Sequence, residues 1–180
     1  IPDIPCHDHY SVTAPTSSKW AHRYGTRLEE TGYYTADLKH ASEPKPVWAW
    51  TQGLHLWDER PKMPLPSAEE LGAQLFFNLG RGAKGNLWFT FRENAGRKYP
   101  ETRKALQRYS RLVRLLEKDL LLSDPYHGER ISSAVIDVAP LVSPDKMILF
   151  VTNTDYDIRD TAYLWRDARN VEVRMEIPDW

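Results

Sequence analysis

The sequence has little cysteine, no surplus of basic residues and no long apolar run. Cys6 is the one cysteine among 180 residues, so no disulfide can form within the chain, and cysteine usage does not indicate a cellular compartment. Lys and Arg number 24 against 25 Asp and Glu, which leaves no positive surplus for the phosphates of a nucleic acid. No apolar run approaches the roughly 20 residues that cross a bilayer. We therefore expect no nucleic-acid partner and no membrane span.

The common catalytic and cofactor motifs are also missing. The chain contains no G-x-S-x-G elbow, no P-loop and no H-E-x-x-H. Gly80, Gly82 and Gly85 have the spacing of a dinucleotide fingerprint, but they follow a predicted helix and precede a predicted strand, the reverse of what pyrophosphate binding requires. We interpret them as a helix C-cap. We expect His7 and His9 to face opposite sides of a predicted strand and therefore not to bind one metal ion together. We predict no cofactor and no metal.

Aromatic residues, by contrast, are plentiful. The chain has seven Trp and nine Tyr, in a composition that is 41% hydrophobic and 27% charged, as in a globular protein with a real core. Such rings serve either as core packing or as flat surfaces for sugar rings. Their positions along the predicted strands must decide between the two uses.

The chain up to about residue 122 alternates predicted strands with predicted helices. The strands are 3–12, 46–52 and 86–91, and the helices are 35–41, 67–79 and 100–122. Ser67 and Glu70 have capping-box spacing, and Leu71, Leu75 and Leu79 recur at helical spacing. This βαβαβα order is typical of a parallel sheet or barrel. The tail is predicted to be all-β, with strands at 130–138, 146–153, 161–166 and 171–177.

Three stretches carry a resemblance to a known family. Residues 45–52 read KPVWAWTQ, residues 66–71 read PSAEEL, and residues 82–89 read GAKGNLWF. They resemble a passage near the end of the (β/α)8 barrel of glycoside-hydrolase-like proteins, where a K-P-V-W…Q strand precedes a P-T/S-x-E-E-L-R helix and an H/R-G-A-K-G-I turn. Residues 148–154 are similar to a strand of the β-sandwich that often follows such barrels. The resemblance covers 40–125 well, 1–40 loosely and 130–180 by architecture alone.

The resemblance implies an α/β fold class: the last three βα units of a (β/α)8 (TIM) barrel over 1–125. A small all-β, sandwich-like domain, complete or truncated, then follows over 129–180. Strands one to five would then lie outside this sequence, and the remaining barrel segment of the parent chain would be its partner. The start at Ile1, directly before a predicted buried strand, favours the same interpretation. The resemblance suggests a secreted or periplasmic protein. The alternative is a compact three-layer α/β domain of its own.

In barrels of this kind the active site gathers at the C-terminal ends of the strands. Asp8 is the candidate catalytic residue, as a carboxylate that orients or deprotonates a sugar hydroxyl, and its alternative role is a strand-end cap or ion pair. Gln52 suits a pair of sugar hydroxyls because its amide both donates and accepts hydrogen bonds. Trp48 and Phe89 are interpreted as packing between sheet and helices. The candidate substrate-binding residues are His9, Tyr10, Trp50, Gln52, His55, Trp57, Trp88 and Arg92.

Glycoside hydrolysis usually needs two carboxyl groups that flank the scissile bond. The resembling retaining barrels end their seventh strand in a glutamate, whereas this chain has Thr51, Gln52 and Gly53 there. Either the acids lie on the missing strands, or Asp8 or Glu93 serves, or the site only binds. Three hypotheses follow for the function: a glycoside hydrolase of poly- or oligosaccharides for the parent protein, a non-catalytic carbohydrate-binding barrel protein, and a free-standing α/β interaction domain.

Overall fold

The computed structural model describes residues 2–13, 26–54, 65–89, 95–131, 133–159 and 162–177. The helices are α1 (Glu30–Ser42), α2 (Ala68–Gly80), α3 (Ala95–Lys98), α4 (Pro100–Leu115) and α5 (Glu117–Leu122). The strands are β1 (Cys6–Asp8), β2 (Trp48–Gln52), β3 (Gly85–Phe89), β4 (Asp124–Pro125), β5 (Glu129–Ile131), β6 (Ile136–Val142), β7 (Met147–Asn153), β8 (Tyr156–Arg159), β9 (Ala162–Trp165) and β10 (Val173–Met175). No helix within these ranges is long and apolar enough to traverse a bilayer.

The first half of the chain forms a three-stranded parallel sheet in the order β1-β2-β3. Its register sets Cys6 beside Trp48 and Asp8 beside Trp50. The helices α1 and α2 connect consecutive strands and pack against each other on one face of the sheet. This is the expected result of two βαβ units, because parallel strands need a crossover connection.

Helix α2 is the centre of the molecule. Its first turn carries a complete capping box, in which the Glu70 amide donates to Ser67 Oγ at 3.2 Å and the Ser67 amide donates to the Glu70 carboxylate at 2.9 Å. At its other end Gly82 adopts φ of 96°, a conformation that glycine reaches without strain. Leu75 and Leu79 are fully buried. The sequence interpretation of this turn as a helix C-cap agrees with the geometry.

The strands of the C-terminal part form three small antiparallel sheets, β4-β6-β7, β8-β9 and β5-β10. Leu141 and Phe150 of the first of these sheets join Leu75 and Leu79 of α2 in one hydrophobic cluster. A second cluster joins Phe77 of α2 to the strands β8 and β9. Helix α2 is therefore covered by the parallel sheet on one side and by antiparallel strands on another.

The predicted fold class is wrong. The described residues contain no closed barrel, because the parallel sheet has three strands in an open arrangement and the other strands form separate small sheets. Strands β6, β7, β8 and β9 pack on helix α2 rather than forming a sandwich with its own core. The chain is a mixed α/β fold. The error has a physical cause: a βαβαβα pattern reports local periodicity, whereas barrel closure depends on strand number, tilt and stagger. The domain boundaries 1–125 and 129–180 stay a prediction.

Candidate functional site

The register of the parallel sheet separates its side chains into two faces. Asp8, Trp50 and Leu87 lie side by side on adjacent strands. Because strand side chains alternate, every second residue from these positions shares their face. We call this the aromatic face, and it comprises Cys6, Asp8, Trp48, Trp50, Gln52, Gly85, Leu87 and Phe89. The opposite side, which packs against α1 and α2, is the helix face, and it includes His7, Ala49, Thr51, Asn86 and Trp88.

Three aromatic rings form a contact group at the C-terminal end of the aromatic face. The ring of Tyr10, which follows β1, stacks on Phe89 with centroids 5.1 Å apart and an interplanar angle of 23°. Trp50 meets the same phenyl ring edge-on at 6.0 Å. Tyr10 is buried, whereas Trp50 and Phe89 are partly buried. The group therefore presents ring surface to solvent at the edge where parallel strands end.

Trp48 extends this aromatic surface toward the start of the strands. Its indole lies over Gly85 of β3, where an added Cβ would be only 2.6 Å from Cε2 of the ring. Glycine at this position thus makes the close approach of the indole to the sheet possible. Trp48 is half-buried, so its other surface stays accessible. Trp48 and Trp50 together place two indoles on one face, two residues apart.

Two polar groups accompany the rings. Asp8 is exposed at the end of β1, beside Trp50 in the register. Gln52 is fully buried beside Phe89, and its Nε2 donates to the Leu54 carbonyl at 3.2 Å. Within the described residues its Oε1 accepts no hydrogen bond. An unpaired buried acceptor is costly, about 1–3 kcal/mol, and such groups are rare outside functional sites.

The helix face contains a chain of hydrogen bonds rather than rings. The Nε2 atom of His7 lies 2.7 Å from Thr35 Oγ1 of α1, and that hydroxyl donates to Asn78 Oδ1 of α2 at 2.9 Å. Asn78 in turn donates through Nδ2 to Thr51 Oγ1 of β2 at 3.1 Å. The Thr51 hydroxyl donates to Asn86 Oδ1 of β3. A buried polar network thus ties all three strands to both helices.

His7 and His9 both belong to this covered side, and both rings lie beside Tyr34 of α1. The expectation that they face opposite sides is wrong, because residues two apart in a strand share a face. Burial lowers the pKa of His7 to about 4, and burial together with the neighbouring His7 lowers the pKa of His9 to about 4. His9 stacks on Tyr34 of α1 with centroids 4.4 Å apart, and its Nε2 is 3.9 Å from a carboxylate oxygen of Glu30. Both rings are therefore neutral at pH 7. His9, a candidate for substrate binding, packs under α1 instead of lying on the aromatic face.

The structure brings four of the candidate residues together at one end of the sheet: Asp8, Tyr10, Trp50 and Gln52. Trp88 lies on the helix face, where it packs among hydrophobic residues and its Nε1 donates to Ser110 Oγ of α4 at 3.1 Å. The remaining candidates, His55, Trp57, Arg92 and the alternative acid Glu93, lie outside the described residues.

Two aromatic residues of this face were not among the predicted site residues. Trp48 and Phe89 were interpreted as packing between sheet and helices, yet the register puts both on the side away from α1 and α2. For Trp48 the signal was available, because it is two residues from Trp50 and period-two alternation places them together. For Phe89 the signal is the pairing of β2 with β3, which a single sequence does not specify.

The described residues of the aromatic face offer stacking surface and hydrogen-bonding groups but little acid–base chemistry. Asp8 is the one carboxylate among the strand residues that form this face. No group of three or more His, Cys, Asp or Glu side chains suited to a metal ion occurs in the described ranges. Comparison of the chain with protein-family models, with curated proteins and with solved structures finds no match.

Proposed function

We propose that the chain binds a carbohydrate on the aromatic face of its parallel sheet. The observation that carries the proposal is the row of partly buried rings, Trp48, Trp50 and Phe89, on one face and within adjacent strands. Flat aromatic faces match the C–H faces of sugar rings. Soluble proteins rarely leave several large aromatic side chains together and partly exposed on one surface unless the surface has a partner.

Asp8, beside the rings, supports a sugar over a purely apolar partner. The exposed Asp8 carboxylate accepts hydrogen bonds from hydroxyl groups, and hydrogen bonds to a charged acceptor are stronger than neutral ones. Apolar walls with a few placed polar groups are the usual composition of a small-molecule site. The negative charge of Asp8 favours neutral sugars over acidic ones.

Binding without hydrolysis fits the described residues best. Retaining glycosidases hold two carboxyl groups about 5–5.5 Å apart, and inverting ones hold them about 6.5–9.5 Å apart. Asp8 has no second carboxylate with it on the aromatic face of the described strands. A surface of this composition holds a sugar chain in place but lacks the acid and base pair that breaks the glycosidic bond.

The test is a titration of the chain with neutral hexasaccharides, namely cellohexaose, xylohexaose, mannohexaose and maltohexaose, by isothermal calorimetry and tryptophan fluorescence. Trp50→Ala is expected to weaken binding at least about tenfold, because buried aromatic anchors dominate such contacts. The matched control is Trp88→Phe, which alters a tryptophan of the same sheet on the helix face. Absence of binding by the unmodified chain, or equal weakening by both variants, would overturn the proposal.

A further inference from the structure

A second concave site lies on the far side of α2 from the parallel sheet. It is a pocket of about 310 Å³ between α2, α4 and the strands β7 and β9. Its walls include the rings of Phe76, Tyr109 and Trp165. Phe76 and Tyr109 meet edge-on, with centroids 6.3 Å apart. An apolar cavity of about 150 Å³ already holds a benzene ring, so the pocket has room for a substituted aromatic ring.

The pocket lining contains two buried polar atoms that have no hydrogen-bond partner within the described residues. They are the indole Nε1 of Trp165 and the hydroxyl oxygen of Thr152. Thr152 is 7% exposed and lies on the same side of β7 as Phe150, which packs against α2. A buried N–H without an acceptor costs about 1–3 kcal/mol. An occupant that carries a hydrogen-bond acceptor would recover that cost.

Arg166 and Asp167 at the rim of the pocket are already paired, which argues against an anionic ligand. Arg166 binds the carboxylates of Asp155 and Asp157, and Asp167 accepts from Arg169 at 3.1 Å. Glu69 adds a further carboxylate to the lining, so the local charge disfavours an anion. Asn153 donates to the Arg166 carbonyl at 2.6 Å. The groups that remain for recognition are the rings, the Trp165 N–H and the Thr152 hydroxyl.

We propose that this pocket binds a small neutral aromatic molecule that carries a carbonyl acceptor. The ring packs against Phe76 and Tyr109, and the carbonyl accepts from the Trp165 N–H and the Thr152 hydroxyl. This site is separate from the aromatic face, because α2 lies between the two. Binding here is therefore independent of sugar binding, and the two proposals can fail separately.

Benzamide is the probe for this proposal, and benzoate and ethylbenzene are its matched comparisons. Titration of the ¹⁵N-labelled chain, followed by the indole N–H resonances, is expected to give saturable binding of benzamide. The Trp165 resonance should move downfield as its N–H gains an acceptor. Benzoate is expected to bind more weakly because of the Glu69 carboxylate, and ethylbenzene more weakly because it lacks the acceptor. No saturable shift with benzamide, or equal affinity for all three molecules, would overturn the proposal.

Two variants separate recognition from folding. Trp165→Phe keeps a ring but removes the N–H, and it is expected to lower the benzamide affinity about fivefold, as for one neutral hydrogen bond. Thr152→Val keeps the shape and removes the hydroxyl, with a similar loss. Neither variant should change the affinity for ethylbenzene or for a hexasaccharide. A loss of ethylbenzene affinity equal to the loss for benzamide would show that the indole supplies packing alone and would overturn the assigned role of its N–H.

Discussion

The two faces of the three-stranded sheet reverse the usual distribution of residue types. The helix face is covered, yet it is crossed by the hydrogen-bonded chain from His7 through Thr35, Asn78 and Thr51 to Asn86. The aromatic face carries partly buried indole and phenyl rings. A satisfied buried network specifies one arrangement of helices and strands. A partly buried set of rings contributes little to specifying the fold, which is why we propose that it binds a ligand.

The register of β2 links the two faces. Thr51 reaches Asn78 on one side while Trp50 meets Phe89 on the other. A slip by one residue would bring the Trp50 indole against α2 and expose the Thr51 hydroxyl on the aromatic face. The slip would break the Thr51 hydrogen bonds and would also remove Trp50 from its contact with Phe89. The helix face thus fixes the geometry that the aromatic face uses.

The largest expected effect comes from removing the centre of the buried network. Asn78→Leu deletes an amide that bonds Thr31, Thr35 and Thr51, so three buried hydroxyls each lose one hydrogen bond, while Thr35 keeps its contact with His7 and Thr51 keeps Asn86. We expect a loss of about 3 kcal/mol in the free energy of unfolding, measured by urea denaturation, since each lost buried hydrogen bond costs about 1 kcal/mol.

The matched control for Asn78→Leu is Gln52→Leu on the aromatic face. Both amides are fully buried, but within the described residues Gln52 makes one hydrogen bond, to the Leu54 carbonyl, and its Oε1 is unpaired. We expect Gln52→Leu to lower the free energy of unfolding by less than about 1 kcal/mol. Equal destabilisation by the two variants would contradict the proposal that the helix face, and not the aromatic face, specifies the fold.

The second prediction uses the histidines of the covered side. His7 and His9 have a pKa of about 4 in the fold against 6.5 in a free chain, so the unfolded state binds more protons between these values. Stability is therefore fully present above pH 6.5 and falls as the pH drops toward 4. Each proton contributes a slope of about 1.4 kcal/mol per pH unit. We expect a combined slope of about 2 kcal/mol per unit near pH 5.

The carboxyl group of Glu30, which faces His9, keeps that slope below the sum for two protons. Burial raises the pKa of Glu30, so the folded state takes up a proton there and part of the difference is cancelled. Urea denaturation at pH 7, 6, 5 and 4.5 measures the effect. His7→Gln should reduce the slope by about half. A free energy of unfolding that is constant across this range would contradict the assignment of neutral buried rings.

A third, smaller effect concerns the close approach of Trp48 to β3. Gly85→Ala adds a Cβ that would sit 2.6 Å from the indole, so the ring must move off the sheet. We expect the free energy of unfolding to fall by about 1–2 kcal/mol, as for overpacked sites, and the hexasaccharide to bind more weakly. Gly53→Ala is the control, because its Cβ would meet its nearest atoms at 3.4 Å. Equal losses of stability and of hexasaccharide affinity in the two alanine variants would contradict a role of the Trp48 indole in binding.

The sequence predicted those elements whose signals are local. The helix over 67–79 corresponds to α2, with its capping box and its Leu75 and Leu79 stripe. The strand at 46–52 corresponds to β2. Helix α1 begins at Glu30, earlier than the predicted 35–41, because the hydroxyls of Thr31 and Thr35 are held by Asn78 of α2. That contact joins residues far apart in sequence, and no local pattern reports it.

The predicted helix over 100–122 also differs from the structure, which divides it into α4 and α5 at Leu116. Its apolar stripe runs through the break, so periodicity alone gave one helix. Periodicity along the sequence had the same limit in predicting the residues of the aromatic face. The shared face of Trp50 and Gln52 followed from their spacing, whereas the Tyr10–Phe89 stack depends on strand pairing across the sheet. Local patterns predicted which residues alternate, and tertiary contacts determined which faces are covered.

The smallest expected effect on stability, and the finest test of the aromatic face, is Asp8→Asn. The side chain is exposed at the end of β1, so a role in capping or ion pairing there would be worth little, and we expect a change within about 0.5 kcal/mol. The hexasaccharide affinity should nevertheless fall about fivefold, because the carboxylate accepts stronger hydrogen bonds than an amide does. Calorimetry and urea denaturation on the same preparation separate the two quantities. A variant that loses stability but keeps its affinity would make Asp8 a structural residue of the strand end.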